Sequence, residues 1–362
     1  MTWFEALAGF SETSPDQVRA NLQFDETRLT SLVNNRSFHV GEFTTPTLET
    51  LRQVIQVPTA GDLIRIEELV ADVKALHQDP GNANAVFQVA SQFNCLEMAA
   101  PHMVPEDGVG IYQNGWTQGP ACCICAGSGT IYRNYFVEHN GQLGQTAENQ
   151  IDCLASVAKH LGNSNQKYWA MQNGYCFPNV KGLAEIEQRL STSSELQLDE
   201  VRKKLMVGVQ SGTEVTLGDS SHRVTQVFCS ALPVAYSDIK AENWDHFPRL
   251  ILDATYELTF YVAMQNVLKT GCPKLYLTLV GGGVFGIDHP NGHRLWVGPL
   301  RHEACWVMFT RNSNRKLLGF ITLPNRELES ENVPREMIDE LIEEFYCDTE
   351  CQFVKIESIR NR

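Results

Sequence analysis

The amino-acid sequence predicts an α/β protein built around a largely parallel or mixed sheet. Apolar, β-rich runs alternate with helical patterns from residue 85 to residue 310, as expected when helices cover a sheet. The run LYLTLV, residues 275–280, is typical of a strand buried on both faces of a parallel sheet. The segment before it, FPRLILDATYELTFYVAMQNVLKTG, predicts a long helix with Pro248 near its start and Gly271 just past its end.

Charge and composition exclude several classes of protein. The 362 residues include 29 basic and 43 acidic side chains, a net charge of -14, which argues against a nucleic-acid partner. No apolar run approaches the length of a membrane span, so no membrane partner is expected. The start MTWFEALAGFSETSPDQ lacks a signal-peptide pattern, and the 11 cysteines therefore predict reduced thiols. We expect a cytoplasmic monomer.

The first sixty residues predict an extension with two short helices. Ser14 is a suitable N-cap with Pro15 at the first helical position, and Thr45 with Pro46 repeats the pattern. The alternating stretch RSFHVGEF between them predicts a strand or hairpin arm.

The next segments predict a helix and then a strand. In IRIEELVADVKALHQD, apolar residues recur at helical spacing, and Pro80-Gly81 ends the helix. NAVFQVASQFNCLEM predicts a buried strand followed by a polar loop. The apolar positions of the helix are Ile66, Leu69, Val70, Val73 and Leu76.

The middle and end of the chain continue the alternation. A helix that opens at Gly119-Pro120 is followed by a glycine break and an aromatic strand, TIYRNYFV. NQIDCLASVAKHLG predicts a helix ended by Gly162, and residues 182–206 predict one or two charged helices. HRVTQVFCSALPV, ACWVMFTRN and LLGFITLP predict strands, and PREMIDELIEEFY predicts an amphipathic terminal helix.

The densest cysteine cluster, PACCICAG, does not predict a metal site. A zinc or iron–sulfur site needs a second group of ligands at suitable spacing. Cys153 and Cys176 are single and distant, and no histidine pair accompanies them. The pattern favours small buried side chains and no metal.

Glycines follow the run that ends at residue 280. Gly281, Gly282 and Gly283 precede Val284-Phe285 and Gly286. The loop is not a P-loop, because no Gly-Lys-Ser/Thr follows, and its spacing does not fit the dinucleotide fingerprint. Such a loop either presents backbone N–H groups to an anion or forms a tight structural turn.

Two other segments are predicted to converge with this glycine loop. Gln92 and Asn94 follow the strand of residues 85–90, and an Asn amide suits hydroxyl recognition because it both donates and accepts. TQGPA, residues 117–121, has the composition of a helix N-terminus that accepts a phosphate. Together they fit a sugar diphosphate. The alternative for Asn94 is a simple turn or cap.

NAVFQVASQFNCLEM, TQGPACCICAGSGTIYRNYF and TGCPKLYLTLVGGGVFGID resemble, in this order, the elements of a macrodomain. They are most similar to the large macrodomains related to poly(ADP-ribose) glycohydrolase, and within these to the MavL-type arginine ADP-ribosylhydrolase family. The resemblance spans residues 35–310. Its most specific part is the strand and GGGVFG loop after a long helix that contains tyrosine.

The resemblance implies a three-layer α/β/α fold with a mixed sheet and a site for ADP-ribose. We expect an N-terminal extension packed on the core (1–60), a macrodomain-like catalytic domain (61–325) and a C-terminal helical tail (326–362). The loop around Gly281–Gly286 would wrap the diphosphate, with Phe285 beside the sugar. Gln92 and Asn94 would contact the distal ribose, which Gln118, Gly119 and Pro120 would also face.

The expected activity is removal of mono-ADP-ribose from ADP-ribosylated protein, at arginine, without a cofactor. Ile287-Asp288 stands where macrodomains often have Asn, and the first loop lacks the glycines of many hydrolytic members. The two-glutamate signature of the polymer-cleaving enzymes is also absent, so polymer cleavage is not expected. The alternatives are a binding module that reads ADP-ribose without cleaving it, and an unrelated α/β protein that binds another nucleotide or sugar phosphate.

Hydrolysis at the anomeric carbon calls for carboxylates in unusual surroundings. Asp253 lies in a helix that is apolar nearly all round, with Glu257 one turn later, and burial would raise its pKa. Asp245 precedes the same helix, and Asp288 follows the glycine loop. The alternatives are a buried structural Asp at 253, an N-cap at 245 and a solvated acid at 288.

Further residues are weaker candidates, and each has a simple packing or solvation role as its alternative. Glu97, Glu106 and Asp107 are additional carboxylates of the first loop. The aromatic residues that would stack on adenine are Tyr112, Trp116 and Tyr132.

Overall fold

The computed structural model describes residues 1–55, 63–281, 285, 296–300, 305–311, 317–318 and 352–359. The α-helices are α1 (Trp3–Ala8), α2 (Pro15–Asn21), α3 (Leu48–Val54), α4 (Val73–Gln78), α5 (Gln118–Cys125), α6 (Gly127–Tyr135), α7 (Ala155–Leu161), α8 (Val180–Ser191), α9 (Glu195–Arg202) and α10 (His246–Thr270).

The strands are β1 (Leu22–Asp25), β2 (Arg28–Ser31), β3 (Ser37–His39), β4 (Glu42–Thr44), β5 (Leu63–Val70), β6 (Val86–Ala90), β7 (Glu138–His139), β8 (Gln142–Leu143), β9 (Trp169–Gln172), β10 (Tyr175–Pro178), β11 (Gly208–Glu214), β12 (Arg223–Cys229), β13 (Leu275–Leu277), β14 (Trp296–Leu300), β15 (Cys305–Arg311), β16 (Leu317–Leu318) and β17 (Gln352–Ile359).

The main sheet is mixed and joins distant parts of the chain. Its order is β4-β11-β12-β6-β13-β17-β5. The central strands β12, β6 and β13 are parallel, and the other neighbours pair antiparallel. The carboxyl ends of the three parallel strands therefore meet at one edge of the sheet, where α/β proteins bind ligands.

Helices cover both faces of the main sheet. Successive side chains of a strand point to opposite faces. Phe87 of β6 stacks on His77 of α4, with 3.8 Å between the ring centroids. Its neighbour Gln88 donates a 3.0 Å hydrogen bond to Thr259 Oγ1 of α10, on the opposite face. The described chain is thus an α/β protein with a mixed sheet between helical layers.

Several predicted elements are confirmed. Ser14 caps α2 by accepting a hydrogen bond from the Gln17 backbone, with Pro15 at the first position. α10 begins two residues before Pro248 and ends at Gly271, whose φ is 75°. Gly162 likewise ends α7. The strands β6, β12 and β13 and the helices α8 and α9 lie in the predicted segments.

Other predictions are wrong. Residues 63–70 form strand β5, and only 73–78 of the predicted helix are helical. The predicted aromatic strand after the glycine break is helix α6. Thr47, and not Thr45, caps α3. In the predicted helical tail, residues 352–359 form strand β17, while the predicted helix PREMIDELIEEFY lies outside the described residues.

The first sixty residues do more than pack on the core. β4 is an edge strand of the main sheet, paired with β11. The α3 helix packs against α10. The described part of this segment is therefore continuous with the main sheet.

None of the described helices is both long enough and apolar enough to cross a bilayer.

Candidate functional site

Three loops meet at the carboxyl ends of the parallel strands. They are the first loop (residues 91–98, after β6), the second loop (230–237, after β12) and the glycine loop, of which residues 281 and 285 are described. Ser91 N donates to Cys229 O at 2.7 Å, and Ala235 N donates to Phe285 O at 2.9 Å. We call this region the strand-end site.

Aromatic rings hold the glycine loop against its surroundings. The ring of Phe285 lies 5.6 Å from that of Tyr175 and 5.7 Å from that of Tyr236, measured between centroids. Phe285 is 9% exposed, whereas Tyr236 is 39% exposed. The loop is thus packed at residue 285, and one ring of the cluster remains open to solvent.

Helix α10 supports the start of the glycine loop. Tyr256 Oη donates to Thr278 O at 2.8 Å and accepts from Val280 N at 3.2 Å. Gly281 has φ 77°, a conformation that favours glycine. The other predicted residues of this segment lie outside the described residues: Gly282, Gly283, Val284, Gly286 and Asp288.

The Gln118 side chain bonds to backbone groups of β6 that lie past the residues paired with β13. It accepts from Ala90 N at 2.9 Å and donates to Gln88 O at 2.8 Å. It therefore takes the place of a continued β13 strand at this edge. The contacts place Gln118 at the strand-end site and give its amide a structural role there.

Gly119 and Pro120 begin α5 directly beside the end of β6. Both are buried. A Cβ at residue 119 would overlap Ala90 O and the carboxyl group of Glu97. Glycine is required here because the helix start, the strand end and a first-loop side chain occupy the same space.

The amides of Gln92 and Asn94 bond to protein partners. Gln92 exchanges hydrogen bonds with the backbone of Met98, at 3.1 and 3.0 Å. Asn94 accepts from Leu96 N at 3.0 Å and donates to Gln150 Oε1 at 2.8 Å. These contacts match the turn-forming alternative for Asn94, while ribose binding by either residue stays a prediction.

Asp253 lies one turn before Tyr256 on α10 and faces α9. Its Oδ2 is 3.8 Å from Arg202 Nε, and its side chain is 14% exposed. Burial raises the pKa of Asp253 to about 7, opposed by the charge of Arg202. Such a pKa suits acid–base chemistry near neutral pH, and burial of a purely structural acid produces the same shift.

The neighbouring acid Glu257 belongs to a structural ion-pair cluster. Arg52 of α3 donates to both of its carboxylate oxygens, at 2.7 and 2.8 Å. The same guanidinium donates to both oxygens of Asp199 of α9. Arg52 therefore links α3 to α9 through Asp199 and to α10 through Glu257.

Asp245 lies at the start of α10 but does not cap it with its side chain. The carboxylate of Glu187, from α8, accepts from the backbone N–H groups of Asp245, His246 and Phe247 at 3.2, 2.7 and 3.1 Å. The N-cap interpretation of the Asp245 side chain was wrong. The Asp245 side chain is 44% exposed, and its Oδ1 atom lies 3.4 Å from Arg249 Nη2.

The predicted stacking residues differ in exposure. Tyr112 is 2% exposed, and its hydroxyl accepts from Glu97 N at 3.0 Å. Tyr132 packs on Phe24, with 4.7 Å between centroids. Trp116 is 99% exposed and lies two residues before α5 begins, so it is the most exposed of these three rings.

Glu97, a weaker candidate from the sequence, has the least complete hydrogen bonding of the predicted carboxylates in the described residues. It is 7% exposed, and its Oε1 has no hydrogen-bond partner among the described residues. Burial raises the pKa of Glu97 well above its ordinary value, with Arg133 opposing the shift. The available signal was a charged residue between apolar neighbours in NCLEM, at the end of a buried strand.

In the described ranges, no three His, Cys, Asp or Glu side chains are grouped so as to hold a metal ion. The described cysteines are free thiols, and those on α5 are buried. Comparisons with known protein families, with curated proteins and with solved structures found no match to this chain.

Proposed function

We propose that this chain is an ADP-ribosylhydrolase with a macrodomain-like fold, which removes mono-ADP-ribose from protein side chains, with arginine as the expected linkage. The observation that supports it most is the Ala235–Phe285 hydrogen bond, because it brings the glycine loop to the strand ends beside the first loop. In α/β proteins this edge is where nucleotide ligands bind.

The proposed ligand contacts follow from the surroundings of the strand-end site. Backbone N–H groups of the glycine loop would bind the diphosphate, which needs no lysine in a chain of net charge -14. Trp116 would stack on the adenine. Asp245 is accessible, and Asp253 has a pKa of about 7, so both remain proposed groups for water attack at the anomeric carbon.

One observation favours a second function, a module that binds ADP-ribose without cleaving it. Asp253 is paired with Arg202, as a structural acid would be. In that case the same ligand contacts would operate without turnover.

Calorimetry with ADP-ribose tests the site, and release of labelled ADP-ribose from arginine-modified protein tests the reaction. Binding with release supports the hydrolase, and binding without release supports the reader. Absence of binding would refute both.

Gly282→Val is expected to raise the Kd for ADP-ribose at least tenfold, which is a loss of about 1.4 kcal/mol of binding free energy. The valine side chain would occupy the proposed phosphate position. The matched control is Thr192→Val, at the exposed end of α8, which should bind normally. Equal affinities for the two variants, measured by calorimetry, would contradict the diphosphate assignment.

A further inference from the structure

Glu97 is a buried carboxyl group whose environment is incomplete. Its Oε1 atom is shielded from solvent and has no hydrogen-bond partner among the described residues. Leaving a buried polar atom unpaired costs on the order of 1–3 kcal/mol. Such atoms call for a specific explanation, and a catalytic role is one of those expected.

Burial of Glu97 favours the protonated acid, and the charge of Arg133 opposes this effect. The Cys95 backbone carbonyl, and not Glu97, accepts the Nε hydrogen of Arg133, and the Arg133 guanidinium lies 3.7 Å from the centroid of the Phe228 ring. The titratable groups that face Glu97 come from its own loop, the segment before α5, α5, α6 and β10: Cys95, Tyr112, Cys122, Cys123, Arg133 and Tyr175. Arg133 is the single cation in this set of described groups, and it does not form an ion pair with Glu97 within 4.0 Å.

Contacts with Tyr112 and Gly119 fix the position of Glu97. Its N–H donates to the hydroxyl of Tyr112 at 3.0 Å. Its carboxyl group and the carbonyl of Ala90 both lie against Gly119. A side chain at residue 119 would overlap both groups, so only glycine leaves room for them. The acid is therefore held between the end of a central parallel strand and the start of α5.

We propose that Glu97 is a catalytic acid of the strand-end site, and that it protonates the nitrogen that leaves the ribose. This assignment rests on the proposed hydrolase function. It comes from the burial, the unpaired oxygen and the place of Glu97 beside Gly119.

The reaction balances with water as the second reactant. The bond between the anomeric carbon and the guanidino nitrogen breaks, and its electron pair stays on that nitrogen. The carboxyl group of Glu97 gives its proton to the same nitrogen. The water oxygen bonds to the anomeric carbon, and a proton of that water returns to the Glu97 carboxylate. The products are ADP-ribose and free arginine side chain.

The test compares wild type, Glu97→Gln and Glu97→Asp with Glu138→Gln, an exposed acid on β7, as the control. The measurements are kcat and KM for release of ADP-ribose from arginine-modified protein, the pH profile of kcat, and the Kd for ADP-ribose by calorimetry. Circular dichroism checks the fold of each variant.

Loss of a general acid should lower kcat of Glu97→Gln by about 100-fold or more. Its Kd for ADP-ribose should stay within about threefold of wild type, and the fall of kcat at alkaline pH should disappear. Glu97→Asp should keep that fall at a reduced kcat, because it retains an acid one methylene shorter. Glu138→Gln should match wild type.

Two results would overturn the assignment. A Glu97→Gln enzyme with wild-type kcat, or one with reduced kcat and an unchanged pH profile, would show that the carboxyl group is structural. If Glu97→Gln does not fold, a Glu97→Asp enzyme with reduced kcat and a shifted alkaline fall supports the acid, and one with wild-type kcat and an unshifted pH profile overturns it. Wild-type protein that neither binds nor hydrolyses would refute the proposed function itself, together with this assignment.

Discussion

At the scale of single residues, the carboxyl groups of Glu97, which is buried, and Asp253, which is partly buried, have different surroundings. Asp253 faces Arg202 across a helix interface, at 3.8 Å. Glu97 has an oxygen without a hydrogen-bond partner in the described part of the chain. Arg202 gives Asp253 a compensating charge, whereas the unpartnered oxygen of Glu97 needs another explanation, for which we propose the catalytic role.

The raised pKa of Asp253 predicts a pH-dependent effect on stability. Its folded-state pKa of about 7 exceeds the ordinary 3.8, so folding favours the protonated form. This contribution is complete below about pH 4 and is lost as the pH rises through about 7. Asn stays neutral, so Asp253→Asn should gain stability relative to wild type as the pH rises.

Urea unfolding at about pH 5 and about pH 8 measures this difference. The control is Asp238→Asn, at an exposed position, and its difference from wild type should vary less between the two pH values than that of Asp253→Asn, because burial is what raises the pKa of Asp253. A difference between Asp253→Asn and wild type that is equal at both pH values would contradict the burial of an ionisable group at this position.

The sequence predicted which segments meet at the strand ends better than which side chains remain without protein partners there. Phe285 and Gly119 follow from strand ends and glycine positions, and both lie at the strand-end site. The Asn94 side chain accepts a local hydrogen bond from Leu96, but its bond to Gln150 joins segments that are 56 residues apart. The exposure of a side chain is a tertiary property, so the pattern of residues around Glu97 could not establish its burial.

At the scale of elements, the start of α10 depends on a carboxylate from another helix. Glu187 of α8 accepts from three N–H groups in the first turn, the place where a helix attracts negative charge. Because this end is filled by the protein, we do not assign a phosphate to it.

Glu187→Ala should lower the free energy of unfolding by about 1–2 kcal/mol, because the first turn of α10 loses its cap. Chemical denaturation measures the change. Glu185→Ala is the matched control on the same helix, since Glu185 pairs only with the exposed Lys167 and Lys181 among the described residues. Equal losses for the two variants would contradict the capping role.

Local signals account for the elements that were predicted correctly. α10 has Pro248 near its start and Gly271 at its end, and few alternatives fit so long an apolar pattern. β5 was mistaken for a helix because a short apolar run satisfies both periodicities. α6 contains aromatic residues that favour strands, yet the burial of Ile131, Arg133 and Tyr135 in a helix outweighs that preference.

At the scale of the whole molecule, the main sheet joins parts of the chain that the sequence suggested were separate. β4 comes from the first sixty residues, and β17 comes from the end of the chain. β17 lies between β13 and β5, antiparallel to both. β17 and β5 are almost three hundred residues apart, and no local sequence pattern predicts a pairing over that distance. The position of β17 in the sheet was therefore not predictable.

Deletion of residues 352–362 should therefore destabilise the whole molecule, although it removes only the last strand in the sequence. Leu277 pairs with Val354, so the deletion leaves the outer edge of β13 unpaired beside the glycine loop. β5 would also lose the partner that pairs with it along its full length. We expect loss of a large share of a total stability of about 5–15 kcal/mol, and with it loss of ADP-ribose binding.

The control is deletion of residues 360–362, which leaves every paired residue of β17 in place. Thermal unfolding and calorimetry on the two proteins compare the consequences. The shorter deletion should match wild type, and the longer one should lose its cooperative transition. If both deletions retain the wild-type melting temperature, β17 does not contribute to the stability of the sheet.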